Sequence, residues 1–144
     1  MKYIFKATTT IAVFSLVFLV FSPAALALSG AIKVNPSTTM EASRPYSVHV
    51  NVIAGELEPG AKVSAVLQET KQGSQTILLG VKECTLSQSK TCEAVWSIPA
   101  KTTEPNTAFS YQAFMYPSVN PSATKVYTSF VVVSIVPAGT TGTT

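Results

Sequence analysis

The chain contains two cysteines, Cys84 and Cys92, which lie shortly before its single tryptophan, Trp96. A cysteine pair can form a disulfide, hold a metal ion or work as a redox couple. Structural zinc sites take four Cys or His ligands, whereas this chain offers two Cys and one His, and the spacing is not that of a CxxC redox motif. We therefore predict a Cys84–Cys92 disulfide, which would either close the loop of a hairpin or join two neighbouring strands.

The other residues with catalytic potential are the single histidine, His49, and two glutamates, Glu56 and Glu58. A catalytic histidine needs a nucleophile and an orienting acid, and because the chain has no aspartate, a glutamate would have to be that acid. Paired glutamates hydrolyse glycosides only when they are held across a cleft, and two glutamates in one turn are usually just solvated. We expect no catalytic residue, no bound metal and no cofactor, and so the chain is predicted not to be an enzyme.

The first residues are organised like a secretory signal peptide. Lys2 and Lys6 precede an apolar run at residues 10–21, and small residues follow up to Ala27. We predict cleavage after Ala27 and hence a secreted, extracellular protein. The alternative is an uncleaved membrane anchor, but a spanning helix needs about 20 apolar residues, and Pro23 interrupts this run early.

The predicted cleavage divides the chain into a signal peptide at residues 1–27, one folded domain at residues 28–137 and a flexible Thr- and Gly-rich tail at residues 138–144. Without Lys2 and Lys6 the net charge falls from +3 to +1. No cluster of Lys and Arg remains that would bind a phosphate backbone. We expect no nucleic-acid partner, and contact with a membrane only through the signal peptide before its cleavage.

Apolar residues alternate along the domain with a period of two, which is the period of a half-buried β-strand. Tyr46, Val48, Val50 and Val52, for example, share one face of their segment. Turn-forming residues, many of them prolines, lie between such segments and not within them. The pattern predicts seven strands, at residues 31–34, 46–52, 62–68, 76–84, 92–98, 108–116 and 126–136.

Seven short strands without a long amphipathic helix predict an all-β fold, an immunoglobulin-like antiparallel β-sandwich, with a small barrel as the alternative. Strand parity places Trp96 and Tyr111 in line with the apolar residues of their strands, so we expect both in the core. Phe114 and Tyr116 have the opposite parity to Tyr111. We expect these two to form an exposed aromatic binding patch, because exposed patches often mark interaction surfaces.

The order of these features resembles secreted immunoglobulin-like and fibronectin-III-like domains. More narrowly, the segments AVWSIPA, AFSYQAFMY and TSFVVVSI are similar to the N-terminal domain of fungal Ser/Thr-rich cell-wall proteins linked to β-1,6-glucan assembly. The positions that fit the pattern of that family are Trp96, Ile98, Pro99, Tyr111, Ser129 and Phe130. An early strand that often carries a tryptophan in the family reads Val48-His49-Val50 here. The resemblance implies a role in the cell wall.

A second likeness involves two loops. NPST at Asn35 and RPY at Arg44 are similar to loop motifs of secreted immunoglobulin-like cysteine-protease inhibitors, but those motifs lie far apart in that family and close together here, so we take the match as chance. We predict a small secreted, non-catalytic binding or structural module, associated with a cell wall or cell surface in an adhesive or carbohydrate-linked role. Its partner would be cell-wall polysaccharide or an extracellular protein. The alternative is a secreted effector or protease inhibitor that acts through its loops.

Overall fold

The computed structural model describes residues 28–140, so the predicted signal peptide and residues 141–144 of the predicted tail lie outside it. Within that range no helix is long and apolar enough to cross a membrane. The strands of the described range are β1 (Leu28–Asn35), β2 (Thr39–Glu41), β3 (Tyr46–Ala54), β4 (Lys62–Lys71), β5 (Thr76–Thr85), β6 (Thr91–Ile98), β7 (Ala108–Pro117), β8 (Val126–Tyr127) and β9 (Val131–Val136).

The strands form two facing sheets. The smaller sheet has the order β1-β3-β6, and the larger has the order β2-β9-β7-β4-β5, with β8 also paired to β7. In the immunoglobulin plan these correspond to strands A, B and E on one side and G, F, C and C′ on the other. The predicted immunoglobulin-like β-sandwich is therefore confirmed. The strands are antiparallel apart from the pair β2–β9, which is parallel.

The predicted last strand, at residues 126–136, is divided in the structure. Along β7, Phe114 lies opposite Tyr127 of β8, and Tyr111 lies opposite Val131 of β9. Three residues separate Tyr127 from Val131, but only two separate Tyr111 from Phe114, so the returning chain carries one extra residue. Such an extra residue is a β-bulge, which bends the strand and interrupts its ladder. The short β2 is an addition that the alternation did not predict.

The inner faces of the two sheets pack into one apolar core in which valine predominates. Trp96 and Tyr111 belong to it, with 4 % and 0 % of their surface exposed. The main contributors are Val48, Val50, Val52, Ala94, Trp96 and Ile98 from the smaller sheet, and Val63, Ala65, Leu67, Tyr111, Ala113, Met115, Val133 and Ile135 from the larger sheet.

The disulfide between Cys84 and Cys92 is present, with a Cα–Cα distance of 5.7 Å. Cys84 lies on β5, the edge strand of the larger sheet, and Cys92 lies on β6, the edge strand of the smaller sheet. The bond therefore joins two neighbouring strands, as one form of the prediction had it, but these strands belong to different sheets. It closes one end of the seam between the sheets.

Candidate binding site

A chain of polar side chains crosses the core at the end of β4 away from Cys84. The carboxylate of Glu69 is buried, Tyr111 donates a hydrogen bond of 2.7 Å to its Oε2, and Lys101 Nζ lies 3.1 Å from the same oxygen. Tyr46 bonds to the Tyr111 hydroxyl, and because Tyr111 donates to Glu69, Tyr46 is the donor in that bond. The buried carboxylate thus has both a cation and a phenol as partners, as a buried charge requires.

The two tyrosines in this group of buried polar side chains, Tyr46 and Tyr111, both have a pKa above the usual value for a phenol. Burial raises the pKa of Tyr46 to about 12. Burial raises the pKa of Tyr111 as well, and so does the hydrogen bond that Tyr111 donates to Glu69. Both hydroxyls stay protonated at neutral pH and cannot act as bases there, so their role is to hold Glu69 in place.

An open cleft, here called the edge cleft, lies beside these polar side chains, between β5 and the segment that follows β6. It has a larger part of about 450 Å³ and an adjoining smaller part of about 300 Å³. Residues that line both parts are Glu69, Ile77, Pro99 and Lys101. The larger part also holds the ion pair Lys71–Glu104, at 2.7 Å. Since these four charges are paired with one another, the edge cleft presents no net charge.

Trp96 forms part of the wall of the smaller part of the edge cleft. Its indole Nε1 is buried and has no hydrogen-bond partner within residues 28–140. Buried donors are nearly always paired, so this N–H is an exception in the core. Its aromatic surface serves the core, because Trp96 lies opposite Val48 in the smaller sheet.

A second candidate surface is a row of apolar side chains on the outer face of the larger sheet. Val81, Val66, Phe114 and Tyr127 are successive cross-strand neighbours on β5, β4, β7 and β8. Val66 and Phe114 alternate with residues of the core and are themselves outside the core cluster, so the row lies on the opposite face. We call these four residues the outer row. Its two ends are exposed, with 58 % of Val81 and 54 % of Tyr127 accessible.

The outer row corrects the prediction of an exposed patch at Phe114 and Tyr116. Phe114 does point away from the core, but only 9 % of it is exposed. The ring centroids of Tyr127 and Phe114 are 5.6 Å apart. Lys125 Nζ lies 5.8 Å from the centroid of the Phe114 ring. Within the outer row the exposed aromatic side chain is therefore Tyr127, which packs against Phe114, while Tyr116 is half-buried.

His49 has a more elaborate environment than its sequence suggested. Its Nδ1 lies 3.1 Å from Glu93 Oε1, and its Nε2 lies 2.9 Å from Ser47 Oγ and 3.2 Å from Asn35 Nδ2. This order of groups is that of a serine–histidine–acid triad. However, β3 is the central strand of its sheet, so its backbone N–H groups form the ladders with β1 and β6. They are therefore not available to stabilise an oxyanion, and such stabilisation is usually the largest single contribution to catalysis.

The remaining predicted candidates lie apart from these surfaces. Glu56 and Glu58 are exposed on the loop between β3 and β4. The NPST and RPY loops do meet, since Asn35, Pro36 and Pro45 line one shallow depression. No group of three or more His, Cys or Glu side chains in the described part of the chain could hold a metal ion.

No protein-family model matches the sequence, and no curated protein matches it. Many solved structures are similar to this chain, and the three described below have low identity. The CARDB domain of the PF1109 protein of Pyrococcus furiosus, solved in complex with di-metal ions, is 15 % identical, and the match covers 78 % of this chain and 94 % of that domain with a TM-score of 0.49.

The other two are similar to the same extent. The C-terminal domain of wzt is 10 % identical, with 76 % of this chain and 71 % of that domain covered and a TM-score of 0.47. The ApaA protein of Bordetella pertussis is 14 % identical, with 77 % and 94 % covered and a TM-score of 0.44. Likeness at this level carries no conclusion about function, and the fold rests on the strand order described above.

Neither Glu69 nor Lys101 was predicted as a site residue from the sequence. The alternation of Val63, Ala65 and Leu67 continues to Glu69, so a predicted strand longer by one residue would have placed a carboxylate in the core. Lys101 lies in the segment between β6 and β7, where no periodic pattern exists, and its pairing with Glu69 arises only from the tertiary fold.

Proposed function

We propose that this protein is a secreted, non-catalytic module that binds cell-wall polysaccharide, and that the outer row is its binding surface. The observation that carries the proposal is the exposed ring of Tyr127 at the end of that row. A flat aromatic ring suits the C–H face of a sugar ring, and a polar flank suits its hydroxyl groups. The neighbouring cross-strand row supplies amide side chains, Gln68 and Gln112.

One further feature supports an extracellular setting. The Cys84–Cys92 disulfide is of the kind that persists in oxidising compartments.

The proposal is tested by retention of the purified protein on insoluble β-glucan, chitin and isolated cell walls. We expect retention by at least one matrix, and we expect Tyr127→Ala to weaken it about fivefold, since one aromatic contact contributes about 1 kcal/mol. Ile53→Ala is the matched control, because Ile53 is equally exposed but lies on the smaller sheet. Retention by none of the matrices, or equal loss in both variants, would contradict the proposal. Inhibition of a cysteine protease by the same samples would instead favour action through the loops.

A further inference from the structure

β5 is an unusually open edge strand. It pairs with β4 on one side, forms no ladder on its other side with any strand of residues 28–140, and is exposed along nearly its whole length. Three of its apolar side chains are more than half exposed: Ile77 at 52 %, Leu78 at 62 % and Val81 at 58 %. Edge strands present unpaired backbone N–H and C=O groups to solvent, and proteins usually shorten or charge such strands. A long apolar edge is therefore a candidate for pairing with another chain.

The edge cleft lies directly beside the free edge of β5. Ile77 and Leu79 line it from β5, and Trp96 and Pro99 line it from the other side. At the far end the Cys84–Cys92 bond holds β5 against β6 and closes the seam. The open length is therefore the first part of β5, Thr76 to Leu79, which ends at the bulge that Gly80 occupies with a positive φ of 103°.

The charges around this edge indicate what kind of segment would fit. In the edge cleft Glu69 is paired with Lys101, and Lys71 is paired with Glu104, so no charge is left there for a bound segment to neutralise. Beyond the bulge, Lys82 is exposed and has no ion pair among residues 28–140. An incoming strand should accordingly be uncharged where it lies over the cleft and carry a carboxylate where it passes Lys82.

We propose that β5 is a strand-addition site for an extended segment of another polypeptide. The backbone of that segment pairs with Thr76–Leu79, its inward apolar side chains fill the edge cleft against Ile77 and Trp96, and an acidic residue pairs with Lys82. Main-chain pairing supplies affinity in this mode of recognition, and the pockets for alternate side chains supply selectivity.

A second copy of this chain fits the site less well. In an antiparallel pair related by a two-fold axis, side chains of the same face meet. Lys82 and Glu83 are consecutive and lie on opposite faces of the sheet, so Glu83 of a second copy could not reach Lys82. Glu83 is also already paired with Lys62, at 3.3 Å. The occupant is therefore a different polypeptide, and this site shares no residue with the outer row that is proposed to bind polysaccharide.

The test uses random decapeptides displayed on phage and selected against the disulfide-bonded protein. The selected sequences are then made as synthetic peptides and titrated by fluorescence anisotropy against four proteins: the wild type, Ile77→Lys, Lys82→Glu and Lys33→Glu. Lys33 is the control, because it is an exposed lysine on β1 of the other sheet. Thermal melting verifies that each variant is folded, and light scattering gives the mass of the wild type.

We expect the selected peptides to share alternating apolar residues and one carboxylate. Ile77→Lys should abolish binding, Lys82→Glu should weaken it about fivefold, and a peptide with Lys in place of its acidic residue should recover affinity for Lys82→Glu alone. Lys33→Glu should bind like the wild type. The inference is wrong if no peptide is enriched, or if neither Ile77→Lys nor Lys82→Glu changes the affinity for the peptides. It is also wrong if the wild type is a dimer that Ile77→Lys converts to a monomer. Retention on polysaccharide through Tyr127 is unaffected by any of these results.

Discussion

Cys84 and Cys92 connect the edge strands of two different sheets, with their Cα atoms 5.7 Å apart. Because one sheet has β5 at its edge and the other has β6, the bond holds the sandwich closed at one end. At the other end of the same seam no disulfide of the described residues joins the edges, and the edge cleft lies there, next to Glu69 and Lys101. The position of the disulfide thus decides which part of the β5 edge is accessible.

Loss of the disulfide should lower stability without changing the fold. The loop it closes is short, with a sequence separation of 8, for which the chain-entropy model gives about 2.6 kcal/mol. We expect reduction, or the double substitution Cys84→Ala and Cys92→Ala, to lower the melting temperature by roughly 10 °C. Circular dichroism during heating, with and without dithiothreitol, measures this. An unchanged melting temperature after verified reduction would show that the bond adds no stability.

Loss of the lysine from the buried ion pair should lower the free energy of unfolding far more than loss of the lysine from the more exposed pair. Lys101 and Glu69 are both largely buried, whereas Lys71 is 40 % exposed in its pair with Glu104. We expect Lys101→Met to lower the free energy of unfolding by about 3–5 kcal/mol, because it leaves a buried carboxylate without its cation. Lys71→Met is the matched control and should cost at most about 1 kcal/mol. Urea denaturation measures both, and equal losses would contradict the structural role given to Glu69.

The parts of the fold that could be predicted are those that depend on alternation. Val48, Val50 and Val52 show a strict period of two, and their strand was placed correctly for that reason. β5 could not be oriented in the same way, because its apolar residues are nearly continuous and the bulge at Gly80 shifts their parity. The sequence marks it as a strand but does not show that it is exposed.

The candidate sites were less predictable, because they depend on which strands become neighbours. Parity showed that Phe114 points away from the core, but only the pairing of β8 with β7 shows that Tyr127 covers it. Similarly, Tyr111 and Glu69 are 42 positions apart and meet only because β4 pairs with β7. A single sequence carries no direct signal of such long-range pairings.

Stability should fall steeply above pH 10. Burial raises the pKa of Tyr46 to about 12, and that of Tyr111 is also raised, while in the unfolded chain both phenols ionise near pH 10. Below pH 10 the folded and the unfolded protein both keep the phenol protons. Above pH 10 the unfolded protein releases them and the folded protein does not. The free energy of unfolding therefore decreases by about 1.4 kcal/mol per pH unit for each tyrosine, until the pH reaches the pKa of that tyrosine in the folded protein.

This pH dependence is measured by urea denaturation between pH 9 and 12. In Tyr46→Phe the free energy of unfolding should fall less steeply with pH, by about 1.4 kcal/mol per pH unit, because one of the two tyrosines is absent. Tyr127→Phe is the control, since Tyr127 is exposed and takes no part in the buried polar chain. An identical slope in the wild type and in Tyr46→Phe would contradict the assignment of a raised pKa to Tyr46.

The Ser47–His49–Glu93 arrangement should not hydrolyse esters, despite distances of 2.9 Å and 3.1 Å between its groups. A serine nucleophile needs donors for the developing oxyanion, and the N–H groups of the central strand β3 are engaged on both sides. We expect p-nitrophenyl acetate to be hydrolysed at the same rate by the wild type and by Ser47→Ala. Ser97→Ala is the control, because Ser97 lies opposite Ser47 on β6. A rate lost in Ser47→Ala alone, together with fluorophosphonate labelling of Ser47 in the wild type, would establish a hydrolytic site on the outer face of the smaller sheet and overturn the non-catalytic proposal.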